Sequence, residues 1–152
     1  MYGDELIKAF AKNLGLELEL DDSGSCTFAS DDFTITFTDL RELESIALTA
    51  DIGLPPPEKL EKLYKFMLEA NYLFNATSGA TLSINADSGH VALCSIFAYR
   101  GADADVFAHA VERFVNTCES WSKIVAQYRY GVETSQNEPE VNSQQVEFMV
   151  RV

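Results

Sequence analysis

The run Phe33-Thr34-Ile35-Thr36-Phe37-Thr38 limits what this chain can become more than any other segment. Side chains alternate across a strand, so Phe33, Ile35 and Phe37 share one face while Thr34, Thr36 and Thr38 share the other. One face is made for a core and the other for water. Similar short runs flank it, Cys26-Thr27-Phe28-Ala29 before and Ile46-Ala47-Leu48-Thr49-Ala50 after, separated by turns rich in Asp, Ser and Gly. Together they read as a three-stranded antiparallel meander.

Helical periodicity brackets this meander. Leu6, Ile7, Phe10, Ala11 and Leu14 recur at helical spacing behind Asp4, a candidate cap, and Gly15 stands where a terminating glycine belongs. This predicts a helix over 4–14. Gly53-Leu54-Pro55-Pro56-Pro57 stops the meander, because proline cannot donate to a ladder, and Pro57 suits the opening of a helix. The segment from Glu58 to Phe74 carries two apolar stripes, one with Leu60, Leu63, Tyr64, Met67 and Phe74, the other with Phe66, Ala70 and Leu73. Two stripes suit a helix covered on two sides, by its own sheet and by a second subunit.

Thr81–Ala86 alternates again, Asp87-Ser88-Gly89 reads as a tight turn, and Val91–Tyr99 is apolar on both faces, as the inner strand of a hairpin would be. A long helix then starts at Asp103 or Asp105, with Phe107, Val111, Phe114, Cys118, Trp121, Val125 and Tyr128 as its core stripe. The expected fold is α+β in the order α-β-β-β-α-β-β-α, a single domain over residues 1–130. Residues 131–152 form a polar tail too poor in apolar groups to offset its ordering entropy. The tail closes with Val146, Phe148, Val150 and Val152 on one side of a short extended segment. It is expected to lie along a sheet edge or apolar groove and to compete there with a bound partner.

With 152 residues and 47% of them apolar, one core without disulfides is the default. Eleven basic against 24 acidic side chains give a formal charge of -13, which opposes binding to nucleic acid or to anionic membranes. The charge is uneven: residues 1–52 hold 12 acidic and 3 basic groups, whereas residues 53–102 hold 4 of each. The neutral, apolar middle is therefore the better candidate for self-association. Leu63, Met67 and Phe74 of the second helix, with Ile96 and Phe97 of the last strand, are the expected dimer contacts. No apolar stretch approaches the roughly 20 residues of a membrane span, and no signal peptide opens the chain.

Chemistry is sparse. Cys26, Cys94 and Cys118 are widely spaced, without a CxxC, and fit buried reduced thiols of a cytoplasmic protein. His90 and His109 lack a nucleophile motif around them, and the His109/Glu112 pair has no visible third ligand. The glycines form no phosphate loop, and the Asp21-Asp22 and Asp31-Asp32 pairs suit solvated turns. No catalytic, cofactor or metal residues are expected.

The order of elements, the length and the acidity combine with the opening Leu6-Ile7-Lys8-Ala9-Phe10-Ala11 and the following Leu14-Gly15-Leu16. On these features residues 2–129 resemble the class I chaperones of bacterial type III secretion, the Tir chaperone group. The Pro55–Pro57 run and the tail depart from that pattern. The resemblance implies a cytoplasmic bacterial homodimer without catalysis or cofactor. It would hold the N-terminal segment of one or more secreted effectors in extended form, and its charge would also draw secretion-apparatus components. The resemblance further implies grooves lined by the first helix and the sheet. Leu6 and Phe10, with Phe28, Ile35 and Phe37, are the expected client contacts and are equally credible as core. A general interaction adaptor of this fold and a small enzyme or ligand carrier with a pocket in the sheet are the competing classes.

Overall fold

The computed structural model describes residues 2–30 and 32–130. The tail segment expected to compete for a groove lies outside the described residues. Helix α1 (Gly3–Asn13) is followed by strands β1 (Ser25–Ala29), β2 (Thr34–Leu40) and β3 (Ser45–Gly53), then helix α2 (Leu60–Asn71). Strands β4 (Thr81–Ile84) and β5 (Val91–Ala98) and helix α3 (Ala104–Tyr130) complete the domain. All neighbouring strands are antiparallel, in the order β1-β2-β3-β5-β4, so β5 is an inner strand as its two apolar faces predict.

One face of the sheet makes the core. Ile35 and Phe37 of β2, Ile46, Leu48 and Ala50 of β3, and Val91 and Leu93 of β5 are buried on it. Over them pack Leu6, Ile7 and Phe10 of α1 and the seven-residue stripe of α3 from Phe107 to Tyr128. Trp121 donates its indole N–H to the carbonyl of Ala76 at 2.8 Å, so even this large ring is satisfied where it is buried. The opposite face is built of small and polar side chains, with a hydroxyl pairing of Ser25 to Thr38 (2.8 Å) and of Thr27 to Thr36 (3.0 Å). Register places Ala47 beside Ile96 and Ile46 beside Phe97, so the adjacent residues Ile96 and Phe97 face opposite sides.

The element ends differ from expectation in three places. The N-cap of α1 is Tyr2, whose N–H donates to the Glu5 carboxylate at 2.8 Å; Asp4 lies within the first turn, where it pairs with Arg41 at 3.4 Å. Gly15 does end the helix, at φ +73°, with its N–H on Lys12 and that of Leu16 on Ala11. Helix α2 starts at Leu60, after Lys59 in the left-handed region at φ 71°, and so two residues later than the proline run suggests. It ends at Asn71, and the apolar continuation Tyr72–Phe74 is a single 3-10 turn with Leu73 and Phe74 at φ 53° and 56°.

Candidate functional site

Beside the edge strand β1 lies an apolar groove between α1 and α3. Phe10 and Leu14 form one wall, Phe28 and Ser30 the second, and Ala108, Val111, Glu112 and Val115 the third, around about 370 Å³. Its floor is aromatic: Phe37 stands 5.8 Å from Phe10, 5.2 Å from Phe28 and 5.7 Å from Phe107 between ring centroids. The spacings and tilted planes are those that aromatic pairs favour. Phe28 and Phe10 reach the groove because β1 and α1 both sit at the margin of the layer, where no further element covers them.

The sequence-chosen contact residues separate here. Leu6, Ile35 and Phe37 have no exposed surface and belong to the core beneath the groove. Phe10 is almost buried and Phe28 half-buried, and both line the groove itself. Leu14 and Val115 were not singled out as contacts. Leu14 stands at the end of its helix, beyond the stripe that packs inward, and is 56% exposed, while Val115 lies one position beyond the core residue Phe114. A large apolar residue left exposed at a helix end is the signal that could have found Leu14.

The strand next to the groove has a partly open edge. The backbone of Ser25 is taken up by Asp21, whose N–H donates to the Ser25 carbonyl at 2.8 Å and whose carboxylate accepts the Ser25 N–H at 3.0 Å. Strand backbones point to alternate sides, so Thr27 and Ala29 present the next groups along that edge. Asp21 also accepts from the Ser23 hydroxyl at 2.6 Å. The Ser23 hydroxyl, and then the Ser25 amide, hold its carboxyl below the usual range. Asp21 is therefore a fixed negative charge at the start of the edge, and the Glu112 side chain lies at the groove rim.

The expected self-association residues also divide. Leu63 and Met67 point into the core and are not available on the surface of the single chain, whereas Phe97 packs on Phe107 at 5.2 Å and is partly exposed. Phe74 is exposed, and Ile96 is 61% exposed on the outer sheet face. The surface of α2 instead shows Tyr64, Leu68 and Tyr72 around a shallow hollow of about 620 Å³ that also holds Glu61 and Glu69. Leu68 and Leu73 are 71% and 70% exposed.

At the far end of the sheet, His90, Asp32, Asp51, Arg129 and Tyr130 line a hollow of about 510 Å³. Structural bonds occupy two of its polar groups: Asp51 accepts from Asn85 and from Ser88 (3.0 Å), and Arg129 donates to the Pro55 carbonyl at 3.1 Å, whereas the buried Nδ1 of His90 has no hydrogen-bond partner. His109 lies in the second turn of α3, with the Glu112 carboxylate at 3.7 Å. Burial pushes the Cys118 thiol up to about 12 and raises that of Cys26, so neither is a thiolate near neutral pH. Among the described residues no three His, Cys, Asp or Glu side chains converge as a metal site would need.

Comparison with curated proteins finds no match. Solved structures do match the fold. The ExsC–ExsE complex superposes with a TM-score of 0.71 at 20% identity, over 80% of this chain and 92% of that one. The HopA1–SchA chaperone–effector complex gives 0.61 at 20% identity, over 81% and 91%. The Yersinia pestis type III secretion chaperone SycH, solved with a stable fragment of YscM2, gives 0.60 at 18% identity, over 77% and 97%. These likenesses establish the α-β-β-β-α-β-β-α architecture. The sequence itself matches the family model of the Tir chaperone proteins across residues 5–122, from the first turn of α1 into the second half of α3, and the chain belongs to the Tir chaperone protein (CesT) family.

Proposed function

We propose that this chain is a cytoplasmic chaperone of bacterial type III secretion, without enzymatic activity, that binds the N-terminal segment of a secreted effector and keeps it extended. One observation carries the reading: the open edge of β1 at Thr27 and Ala29 runs beside the apolar groove of Phe10, Leu14, Phe28 and Val115. An extended segment added to that edge gains main-chain hydrogen bonds and places alternate side chains in the groove. Family membership and the complexes of related fold, one of them described as chaperone–effector, support the same assignment.

Client contact accordingly belongs to Phe10 and Phe28 of the residues chosen from sequence, joined by Leu14 and Val115. Leu6, Ile35 and Phe37 support the groove from below. Self-association is assigned to the exposed apolar groups of the middle region, Leu68, Tyr72, Leu73, Phe74 and Ile96, in place of the inward-facing Leu63 and Met67. The acidic surface keeps such a dimer in solution and favours basic clients.

Purification from the bacterium that encodes it, followed by identification of the co-purifying chain, tests the proposal. A secreted effector is expected, held through its N-terminal part and lost on Phe28→Asp. A bound protein that is not secreted, held by the same groove, would make the chain an adaptor of this fold.

A further inference from the structure

The hollow at the far end of the sheet is opened by a break in β3. Asp51 pairs with Ala92 and Gly53 with Val91, so Ile52 is an extra residue, a bulge that bends the strand end. Gly53 follows at φ +149°, and a β-carbon on it would meet the Val125 side chain at 3.0 Å, so α3 passes about as close as glycine allows. Phe33, Ile52 and Val125 form a buried apolar wall of the hollow. Its volume of about 510 Å³ has the size of a ligand pocket.

Polar groups surround this wall. The His90 N–H donates to the Ser88 hydroxyl at 3.3 Å and its carbonyl accepts the Asn85 N–H at 2.9 Å, so the residue is fixed by its backbone, yet its buried Nδ1 has no partner. Buried polar atoms are normally satisfied, so an orphan on a cavity wall marks a place for a bonded ligand. With the ring proton on Nε2, that atom is an acceptor. Asp32 and Asp51 add two carboxylates, and the bonds to Asp51 come from the neutral donors Asn85 and Ser88. Against them stands Arg129, drawn onto the Pro55 carbonyl with its guanidinium 5.5 Å from the Tyr130 ring centroid. The last turn of α3 also faces the hollow and brings the negative end of the helix dipole. The balance favours a cation that donates hydrogen bonds.

The acceptors do not close on one point as a metal ion would need. A compact ammonium meets the same difficulty, whereas a guanidinium carries five N–H groups in a planar fork and reaches acceptors that stand apart. We propose that the hollow is a second protein-binding site, which takes the arginine side chain of a partner chain. The stem lies along Phe33, Ile52 and Val125, and the head donates to His90 Nδ1 and to Asp32. This site does not rest on the client-groove reading: Ser122 stands about two turns along α3 from Val115, and the lining includes none of the residues assigned to client contact or to self-association.

Titration of the full chain with a blocked Ala-Arg-Ala peptide, and with its citrulline and Glu counterparts, tests the site through amide and His90 ring resonances. The Arg peptide is expected to shift His90 and Ser122–Tyr130, and the neutral citrulline peptide to bind about tenfold more weakly. H90N, which keeps an acceptor near the place of Nδ1, should retain part of that preference, and H90L should remove most of it. D32N, in an exposed turn, should weaken the Arg peptide with the fold intact and carries the test if H90L does not fold; E17Q should change nothing. Equal binding of the Arg and citrulline peptides, or an Arg preference that survives D32N and any folded H90L, overturns the proposal. So does tighter binding of the Glu peptide. Agmatine alone binding as tightly as the peptide would make the hollow a small-ligand site, and binding that appears only on truncation at residue 130 would give it to the chain's own tail; each counts against the proposal.

Discussion

Gly3 and Asp39 meet so closely that a β-carbon on the glycine would strike the Asp39 carboxylate. The carboxylate side chain is 1% exposed; Arg41 holds its Oδ2 at 3.1 Å, while Oδ1, the oxygen that meets Gly3 at the start of α1, has no hydrogen-bond partner. A negative charge at a helix N-terminus is favourable, so this contact sets where α1 enters the fold and thereby where Phe10 and Leu14 stand. Gly3→Ala is expected to cost about 1–3 kcal/mol in chemical denaturation. With Asp39→Ala as background the cost should shrink. Additive costs in the double-mutant cycle would separate the two residues.

Groove and core residues should part company. Ile35→Ala and Phe37→Ala each remove a wholly buried side chain and should cost about 2–5 kcal/mol of stability. Leu14→Asp and Phe28→Asp should instead abolish client binding, with melting temperatures shifted far less than in the core variants. A client that still binds Phe28→Asp would place its site elsewhere.

Leu73 and Phe74 hold left-handed backbone conformations that cost roughly 1–3 kcal/mol each for such side chains. Leu73→Gly should therefore stabilise the isolated chain by a few tenths to about 1 kcal/mol, yet weaken self-association by removing an exposed apolar group. Sedimentation of wild type and variant over a concentration series checks this. A wild type that stays monomeric at micromolar concentration would refute the dimer.

The raised Cys118 pKa makes an alkaline prediction. Burial keeps the thiol protonated in the fold up to about pH 12, whereas the ordinary thiol ionises near 9.0. The stability it contributes is complete below pH 9 and is lost as the pH climbs through 9 toward 12. At pH 8 a thiol reagent should modify Cys94 before Cys118, and Cys118 should react only on unfolding. Modification of Cys118 at the Cys94 rate in the native protein would contradict this burial.

Truncation at residue 130 addresses the tail. If Val146, Phe148, Val150 and Val152 compete for the client groove through their tether, the truncated chain should bind its client severalfold more tightly, with unchanged melting temperature. Unchanged affinity would remove the competitor role.

The sequence carried the framework clearly where one periodicity spanned a whole element. The α3 stripe from Phe107 to Tyr128 and the alternation from Phe33 to Phe37 are buried as their spacing requires. Alternation tells which residues share a face but not what covers that face. For this reason Leu6, Ile35 and Phe37 could be core or groove, and only the position of α3 over them decided it. The second stripe of α2 was visible as excess apolar content, but its phase was not. Lys59, Leu73 and Phe74 adopt left-handed conformations that their residue types disfavour, so both ends of that helix moved, and with them the exposed set became Leu68, Tyr72 and Leu73.

One side-chain amide limits how the sheet can grow. Asn71 at the end of α2 accepts the Leu82 N–H at 2.8 Å and donates to the Leu82 carbonyl at 3.0 Å. It thereby serves as a one-residue substitute for a neighbouring strand. The outer rim of β4 is occupied at its middle, and a chain arriving there must first displace an internal bond of the same quality. The opposite rim has no such guard at Thr27 and Ala29. The two rims therefore differ: the one at Thr27 and Ala29 leaves its backbone groups open to a further strand, whereas the Asn71 amide on the outer rim of β4 stands against edge-to-edge stacking of copies and so against open-ended polymers.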